Sequence, residues 1–469
     1  MSKVKYQLHF YSMYDHTGIC RNLENMAAQG WMLEKTGTFC WKYRKCEPKK
    51  IHFAINYFPK ASEFASGPTE EQKIMFEYCE QVGWKHISTV AQMQIFCNEQ
   101  ENPIPLETDA ATQVEIISKA MKSSFLPAQF LLFVIGVLQL GMALSRFVNH
   151  PISALSESMN LFTSLCWIGV ILLTGTEFVN YFTWLRKARK AAEEEGRFVK
   201  TKSFPKLQIA AVVIVFGGML FSVLASANVV SITSVIFTLI FVPVLFGGVN
   251  LMKRFLKSRK VSTGVTRTVT FITSFVISFS MIFIGVGVVM NVVRNIMEKQ
   301  SGVENYEYRG MTWEVYHDEL PLIIEDFMAV DYDEYSYKFE ANETFLVAEY
   351  EATQRPKMDA LEHPDLYYRI VKVKVPIFYE MCKTEMLEEV ERWRYASGYV
   401  EAEYRDQYRT VDSKIWQADE VYREYRGDEP QNRFLICWGN KLVEIAFDTF
   451  EDGITDEIIS VVAEKLKDF

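Results

Sequence analysis

The sequence predicts three parts: an α+β N-terminal domain, a central five-helix transmembrane bundle and an α+β C-terminal domain. Three observations carry that expectation. Five apolar stretches sit between polar flanks, at Phe125–Leu144, Leu161–Leu185, Leu207–Ala227, Val229–Met252 and Val269–Val293. A hydrocarbon core of about 30 Å needs about 20 apolar residues in a helix. The charge is also unevenly shared: residues 1–125 carry 14 basic and 14 acidic side chains, residues 126–300 carry 17 and 6, and residues 301–469 carry 19 and 39. Finally, both flanks show strand-like alternation broken by turn residues. The expected boundaries are 1–115, 120–298 and 300–469.

In the first segment a short pattern occurs twice. One copy runs Leu23-Glu24-Asn25-Met26-Ala27-Ala28-Gln29-Gly30-Trp31 and leads into Phe39–Tyr43. The other runs Phe76-Glu77-Tyr78-Cys79-Glu80-Gln81-Val82-Gly83-Trp84 and leads into Ala91–Phe96. Each reads as an amphipathic helix closed by a left-handed glycine and followed by tryptophan. Thr69 and Gln72 have capping-box spacing. With strands at Tyr6–Tyr11, Phe39–Tyr43, His52–Tyr57 and Met93–Cys97, the expectation is a ferredoxin-like sandwich of helices on one antiparallel sheet. Trp31 and Trp84 are then equivalent core residues at helix–strand corners, with ligand stacking as the lesser reading.

The membrane segment is oriented by its loops. Eight Lys or Arg residues lie between the second and third stretches, from Arg186 to Lys206, and six lie between the fourth and fifth, from Lys253 to Arg267. Lys/Arg excess marks the cytoplasmic side, and Lys119 and Lys122 agree. The expected topology is multi-pass in the cell membrane, N-terminus cytoplasmic and C-terminus extracytoplasmic, contacting membrane lipids. Residues 1–14 lack the basic-then-apolar pattern of a secretory signal. Gly217-Gly218 and Gly247-Gly248 are expected to bring the third and fourth helices close, and Pro243 to kink the fourth. Glu177 is the intramembrane candidate. Carboxylates inside spans are costly and face a bundle interior or a pathway, so it reads as a cation- or proton-binding group or as a partner of a basic neighbour such as Arg186.

The acidic C-terminal segment shows strands at Tyr332–Glu340, Thr344–Glu351, Tyr367–Val375 and Arg433–Asp448. The last is divided by a Gly439-Asn440 hairpin signal. Helices are expected at Glu380–Tyr395, burying Cys382, Met386, Val390 and Trp393, and at Thr455–Lys467. Asp331, Asp333 and Glu334 lack the spacing of a calcium loop. His317 and His363 are far apart and read as surface residues, and no CxxC pair exists. No catalytic residue, cofactor or metal site is expected, and Cys382 and Cys437 are left open as a disulfide.

The string Tyr14-Asp15, the two Gly-Trp copies and the closing Pro105-Leu106-Glu107-Thr108-Asp109 resemble the bacterial domain of unknown function numbered 2812. The resemblance covers about the first 110 residues and implies an integral membrane protein, mostly of Gram-positive bacteria. It carries over no activity, and leaves Asp15, Gly30, Trp31, Gly83 and Trp84 as structural motif residues. The expected function is therefore non-enzymatic: coupling of an extracytoplasmic acidic domain to a cytoplasmic one in envelope sensing, signalling or scaffolding, with protein partners. The alternative is a transporter or permease accessory subunit using Glu177. Nucleic acid is not expected, because the N-terminal segment has no net positive charge.

Overall fold

The computed structural model describes residues 3–9, 11–37, 40–201, 208–211, 213–214, 217–218, 229–299, 304–357, 364–395, 406–448 and 454–469. The chain divides into two compact units: residues 1–140, 165–219 and 235–286 form the first, and residues 141–164, 220–234 and 287–469 the second.

The first unit opens with a duplicated βαββ module. Its first copy is β1 (Val4–Leu8), α1 (His16–Ala28), β2 (Trp31–Lys35) and β3 (Cys40–Lys45), in sheet order β1-β3-β2. The second is β4 (His52–Tyr57), α2 (Glu70–Gln81), β5 (Lys85–Val90) and β6 (Met93–Asn98), in order β4-β6-β5. All pairings are antiparallel, so each helix connects two parallel strands and the last strand inserts between them. That is a split βαβ arrangement. The duplication reaches fine detail, since the second strand of each copy carries a register shift, between Leu33 and Lys35 and between His86 and Ser88.

The single ferredoxin-like sandwich is corrected on this point: two three-stranded sheets are described in its place. The segment after β3 holds Pro48 beside Gly30. A proline there cannot donate to a continuing ladder, and the chain starts a new sheet at His52.

Next come α3 (Ala110–Ala120), capped by the Asp109 carboxylate, and a π-helical turn at Met121–Phe125. Among the described residues, four helices are long and apolar enough to cross a membrane. They fall within α4 (Leu126–Asn149), α6 (Ser158–Glu195), α7 (Val229–Ser258) and α8 (Thr263–Lys299), and the short α5 (Pro151–Ser156) links the first two. The expected third stretch, Leu207–Ala227, lies largely outside the described residues.

One detail of the membrane segment differs from expectation. Arg186 to Glu195 do not form a loop but continue α6 without a break; Ala188, Ala191 and Ala192 and the long charged side chains are good helix formers. Among the described residues, close approach at glycines joins α7 to α8, and most of the third stretch lies outside them. A Cβ on Gly248 would meet Ile277 Cδ1 at 2.5 Å, and one on Gly285 the Phe237 ring at 2.6 Å, whereas Gly217 and Gly247 have open space. Pro243 lies inside a continuous α7.

The second unit contains a β7–β8 hairpin (Glu304–Tyr308, Met311–Val315) and a seven-stranded antiparallel sheet. The sheet strands are β9 (Tyr335–Glu343), β10 (Val347–Pro356), β11 (Asp365–Val373), β12 (Asp406–Thr410), β13 (Glu420–Arg426), β14 (Glu429–Trp438) and β15 (Lys441–Asp448), in order β12-β13-β14-β15-β11-β10-β9. Gly439, at φ 55°, makes the expected β14–β15 turn. Period-two alternation sends Leu366, Tyr368 and Ile370 to one face, under α10 (Asp456–Lys467). Val371 and Val373 go to the other, under α9 (Tyr379–Tyr395). Central strands buried on both faces explain why they read as nearly continuous apolar runs. Cys382 and Cys437 are buried free thiols in that second cluster, where burial pushes them up to about 12 and about 11. Val390 and Trp393 side chains, and His363, lie outside the described residues.

Candidate functional site

Folded protein holds α5, just ahead of the long helix α6, and the second half of α6 itself, and each of these two grips is built from specific polar contacts.

In the second unit, α5 and the start of α6 are seated on the seven-stranded sheet and α9. Ile152 and Leu155 are fully or almost fully buried and pack with Val347, Val371, Cys382 and Met386. Buried backbone ends are matched by side chains, as they must be. The Ile152 amide donates to Glu385 Oε2 at 2.7 Å, and Thr344 Oγ1 donates to the Leu155 carbonyl at 2.5 Å. Ser156 Oγ donates to Glu349 Oε2 at 2.8 Å, while Arg369 Nη2 holds the other Glu349 oxygen at 2.6 Å. Glu385 also faces His150 Nδ1 at 3.5 Å.

In the first unit, the loop before α1 meets the second half of α6. Ser12 Oγ lies 2.7 Å from each Glu177 oxygen, and Gln208 Nε2 donates to the same carboxylate. Glu177 is thus met by two neutral donors, and Arg186 is not its partner. Tyr14, fully buried, sits edge-on to Tyr181 at 5.4 Å and beside Trp184 at 5.6 Å. Burial, then the nearby Glu177 and Asp15 carboxylates, raise the Tyr14 phenol above its ordinary value, so it stays neutral.

Asp15 has two duties. Its side chain caps α1 by accepting from the Gly18 amide at 2.9 Å, and it also accepts from Thr201 Oγ1. Gly18 is needed there because a Cβ would collide with the Asp15 carboxylate. Thr17 and Thr201 exchange reciprocal bonds at 3.2 and 3.3 Å, and Trp184 Nε1 donates to the Val199 carbonyl at 3.2 Å. The segment after α6 is thereby tied both to α1 and back to its own helix.

Of the motif residues, Gly30 (φ 79°) and Gly83 (φ 89°) end α1 and α2 in the left-handed region as expected. Trp84 is 4% exposed and donates Nε1 to the Ile104 carbonyl at 2.7 Å. Trp31 is only half-buried, with the Lys5 ammonium 5.6 Å from its ring centre, so the two tryptophans are not equivalent core positions. Asp331 accepts from the Asp333 amide in a short turn, and among the described residues no cluster of potential metal ligands occurs. Ser12, Thr201 and Gln208 were not legible as site residues. The only hint was Asp15 in front of a helical pattern, an N-cap signal.

Comparison with known proteins places the first of these regions. Residues 18–128 match the model of a family described as a protein of unknown function, DUF2812. No curated protein and no solved structure matches the chain. The matched stretch takes in most of α1, the module from β2 to β6, α3 and the start of α4, so the similarity covers α1 but neither β1 nor α6.

Proposed function

We propose that the chain is a non-enzymatic membrane protein that couples an extracytoplasmic acidic domain to a cytoplasmic domain, with α6 as the connecting rod. The observation that carries this reading is that one unbroken 38-residue helix follows directly on α5, which Glu385, Thr344 and Glu349 bond, and is itself met along its second half by Ser12 at Glu177 and by Tyr14 at Tyr181 and Trp184. A helix of that length spans about 57 Å at 1.5 Å per residue, more than a bilayer needs. A shift or rotation at one grip moves side chains at the other, since helices are stiff and packed interfaces have discrete arrangements.

The bundle has five spans, with Leu207–Ala227 as the third. The N-terminus is cytoplasmic and the C-terminus extracytoplasmic. Basic residues support that orientation: Lys119 and Lys122 precede α4, Arg186 to Lys190 end α6, and Lys253 to Lys260 close α7. In this reading the membrane lipids hold the bundle, and envelope sensing or signalling proceeds through protein partners of the two domains, in a Gram-positive envelope. Glu177 serves the inner grip rather than a transport pathway, because its carboxylate is met by Ser12 and Gln208.

Topology is tested with a membrane-impermeant maleimide. Cys40 is exposed in the duplicated module and should label only after permeabilisation. A Glu429→Cys variant, at an exposed hairpin position, should label in intact cells. Labelling of both in intact cells, or of neither, contradicts the proposed arrangement.

A further inference from the structure

A cleft of about 590 Å³ opens in the first unit, between α1 and the second copy of the module. Small-molecule sites usually fall within about 300–1,000 Å³ and combine an apolar body with a few placed polar groups. The inner wall here is apolar, built from Phe53, Ile55 and Ile117, with Trp84 and the half-exposed Phe198 contributing rings. The polar groups are balanced: Arg21 and Lys200 are cationic, Glu24 and Glu107 anionic. Among the described residues, Arg21, Lys200 and Glu107 have no ion-pair partner within 4.0 Å, and Glu24 has only His52 at 3.9 Å. His16 is kept neutral by burial, which lowers it, and Cys20 is pushed up to about 12, again mainly by burial. Neutral imidazole and thiol groups leave the fixed charges to select what binds.

We propose that this cleft binds a small amphipathic zwitterion, the class of free amino acids with large apolar side chains and of short apolar peptides. Its carboxylate faces Arg21 and Lys200, its ammonium faces Glu24 and Glu107, and its apolar body covers Phe198 and the edge of Trp84. A balanced pair of cations and anions favours a ligand carrying both charges over one carrying either alone, since each ligand charge then meets an opposite side-chain charge. The cleft also touches the inner grip. Thr17 and Lys200 line it, and Thr17 is bonded to Thr201, so an occupant bears directly on the strap that follows α6. The binding claim goes beyond the coupling reading and is measured without it.

The test is equilibrium dialysis of the full chain in lipid nanodiscs with radiolabelled L-phenylalanine and L-leucyl-L-phenylalanine. Competitors are N-acetyl-L-phenylalanine, which lacks the ammonium, and L-phenylalaninamide, which lacks the carboxylate. At least one zwitterion should bind saturably, with both blocked analogues about tenfold weaker or worse. Arg21→Gln should erase the preference over the amide, and Glu24→Gln the preference over the N-acetyl form. Phe198→Ala, at an exposed ring, should weaken both probes without disturbing amide exchange of α1 and β4. Absence of saturable binding by either probe up to about 10 mM, or blocked analogues that bind equally well, overturns the proposal. Neither result bears on whether α6 couples the domains.

Discussion

The two copies of the βαββ module have the same strand order, the same left-handed glycine after the helix and the same irregularity in the second strand, yet their helices are buried to very different degrees. In the first, Ile19, Leu23, Met26 and Ala27 of α1 enter the main core, which also takes β4 and β6 of the second copy, α3 and the Tyr181–Ala188 stretch of α6. In the second, α2 contributes only to a small cluster around Cys79, Trp84 and Phe96, while Ile74 and Tyr78 stay about two-thirds exposed. A repeated sequence pattern fixes local geometry, because turns, caps and periodicity act over a few residues. Burial depends on what the rest of the chain brings against each copy, and only α1 receives α6.

The largest effect expected is at the two tryptophans. Trp84→Ala removes a buried ring and leaves the Ile104 carbonyl without its donor, at about 3–5 kcal/mol. Trp31→Ala removes a half-buried ring and costs about 1–2 kcal/mol. Because this protein is not a single two-state domain, local stability is read from amide hydrogen exchange of β6 and β3 respectively.

The histidines give the next contrast. His9 stacks on Trp41 at 3.8 Å and burial lowers it to about 4, while His86 stacks on Phe76 at 4.2 Å and is lowered by burial without so large a shift. A base depressed in the fold takes up protons more readily when unfolded. Stability in the first copy is therefore complete above the unfolded value near 6.5 and is lost as pH falls toward 4, by on the order of 3 kcal/mol. Exchange at β1 and β3 should rise through that window, and His9→Phe should flatten the rise.

Glycine replacement separates the copies again. Gly30→Ala puts a Cβ 2.9 Å from the Cys46 backbone oxygen as well as forcing a left-handed alanine, for about 2–3 kcal/mol. Gly83→Ala meets only the flexible ends of Asn98 and Gln100 at 3.0 Å, for about 1 kcal/mol. The smallest effect should come from the cap of α2: Thr69→Ala removes one side of a capping box and costs about 1 kcal/mol. Asp15→Asn keeps a capping oxygen but weakens the bond to Thr201, so exchange should rise at residues 199–201 as well as at the start of α1.

Much of this was legible. The Gly-Trp copies located both helices and their ends, Gly439-Asn440 located the β14–β15 turn, and Thr455 located the start of α10. Each is local chemistry. The split into two three-stranded sheets was not legible, because strand partners are chosen over long separations by packing. The Ser12–Glu177 contact was hidden for the same reason: the two residues are 165 positions apart, and a serine beside a tyrosine carries no signal that it will meet a carboxylate in a long apolar helix. Glu177 stood out in the sequence by its cost in a span, but its partners did not. The α6 extension was misjudged because a run of Arg, Lys and Glu marks the end of an apolar span and is also a good helix.

The central claim, that α6 links the two grips, is tested most directly by loosening one and watching the other. Glu385→Gln keeps the shape of the side chain but weakens its hold on the Ile152 amide, and hydrogen exchange is then followed across the whole chain in nanodiscs. The account predicts faster exchange at α5 and also about tenfold faster exchange at residues 11–17 and 199–201. A change confined to α5, α9 and the neighbouring sheet, with residues 11–17 unaltered, would contradict it.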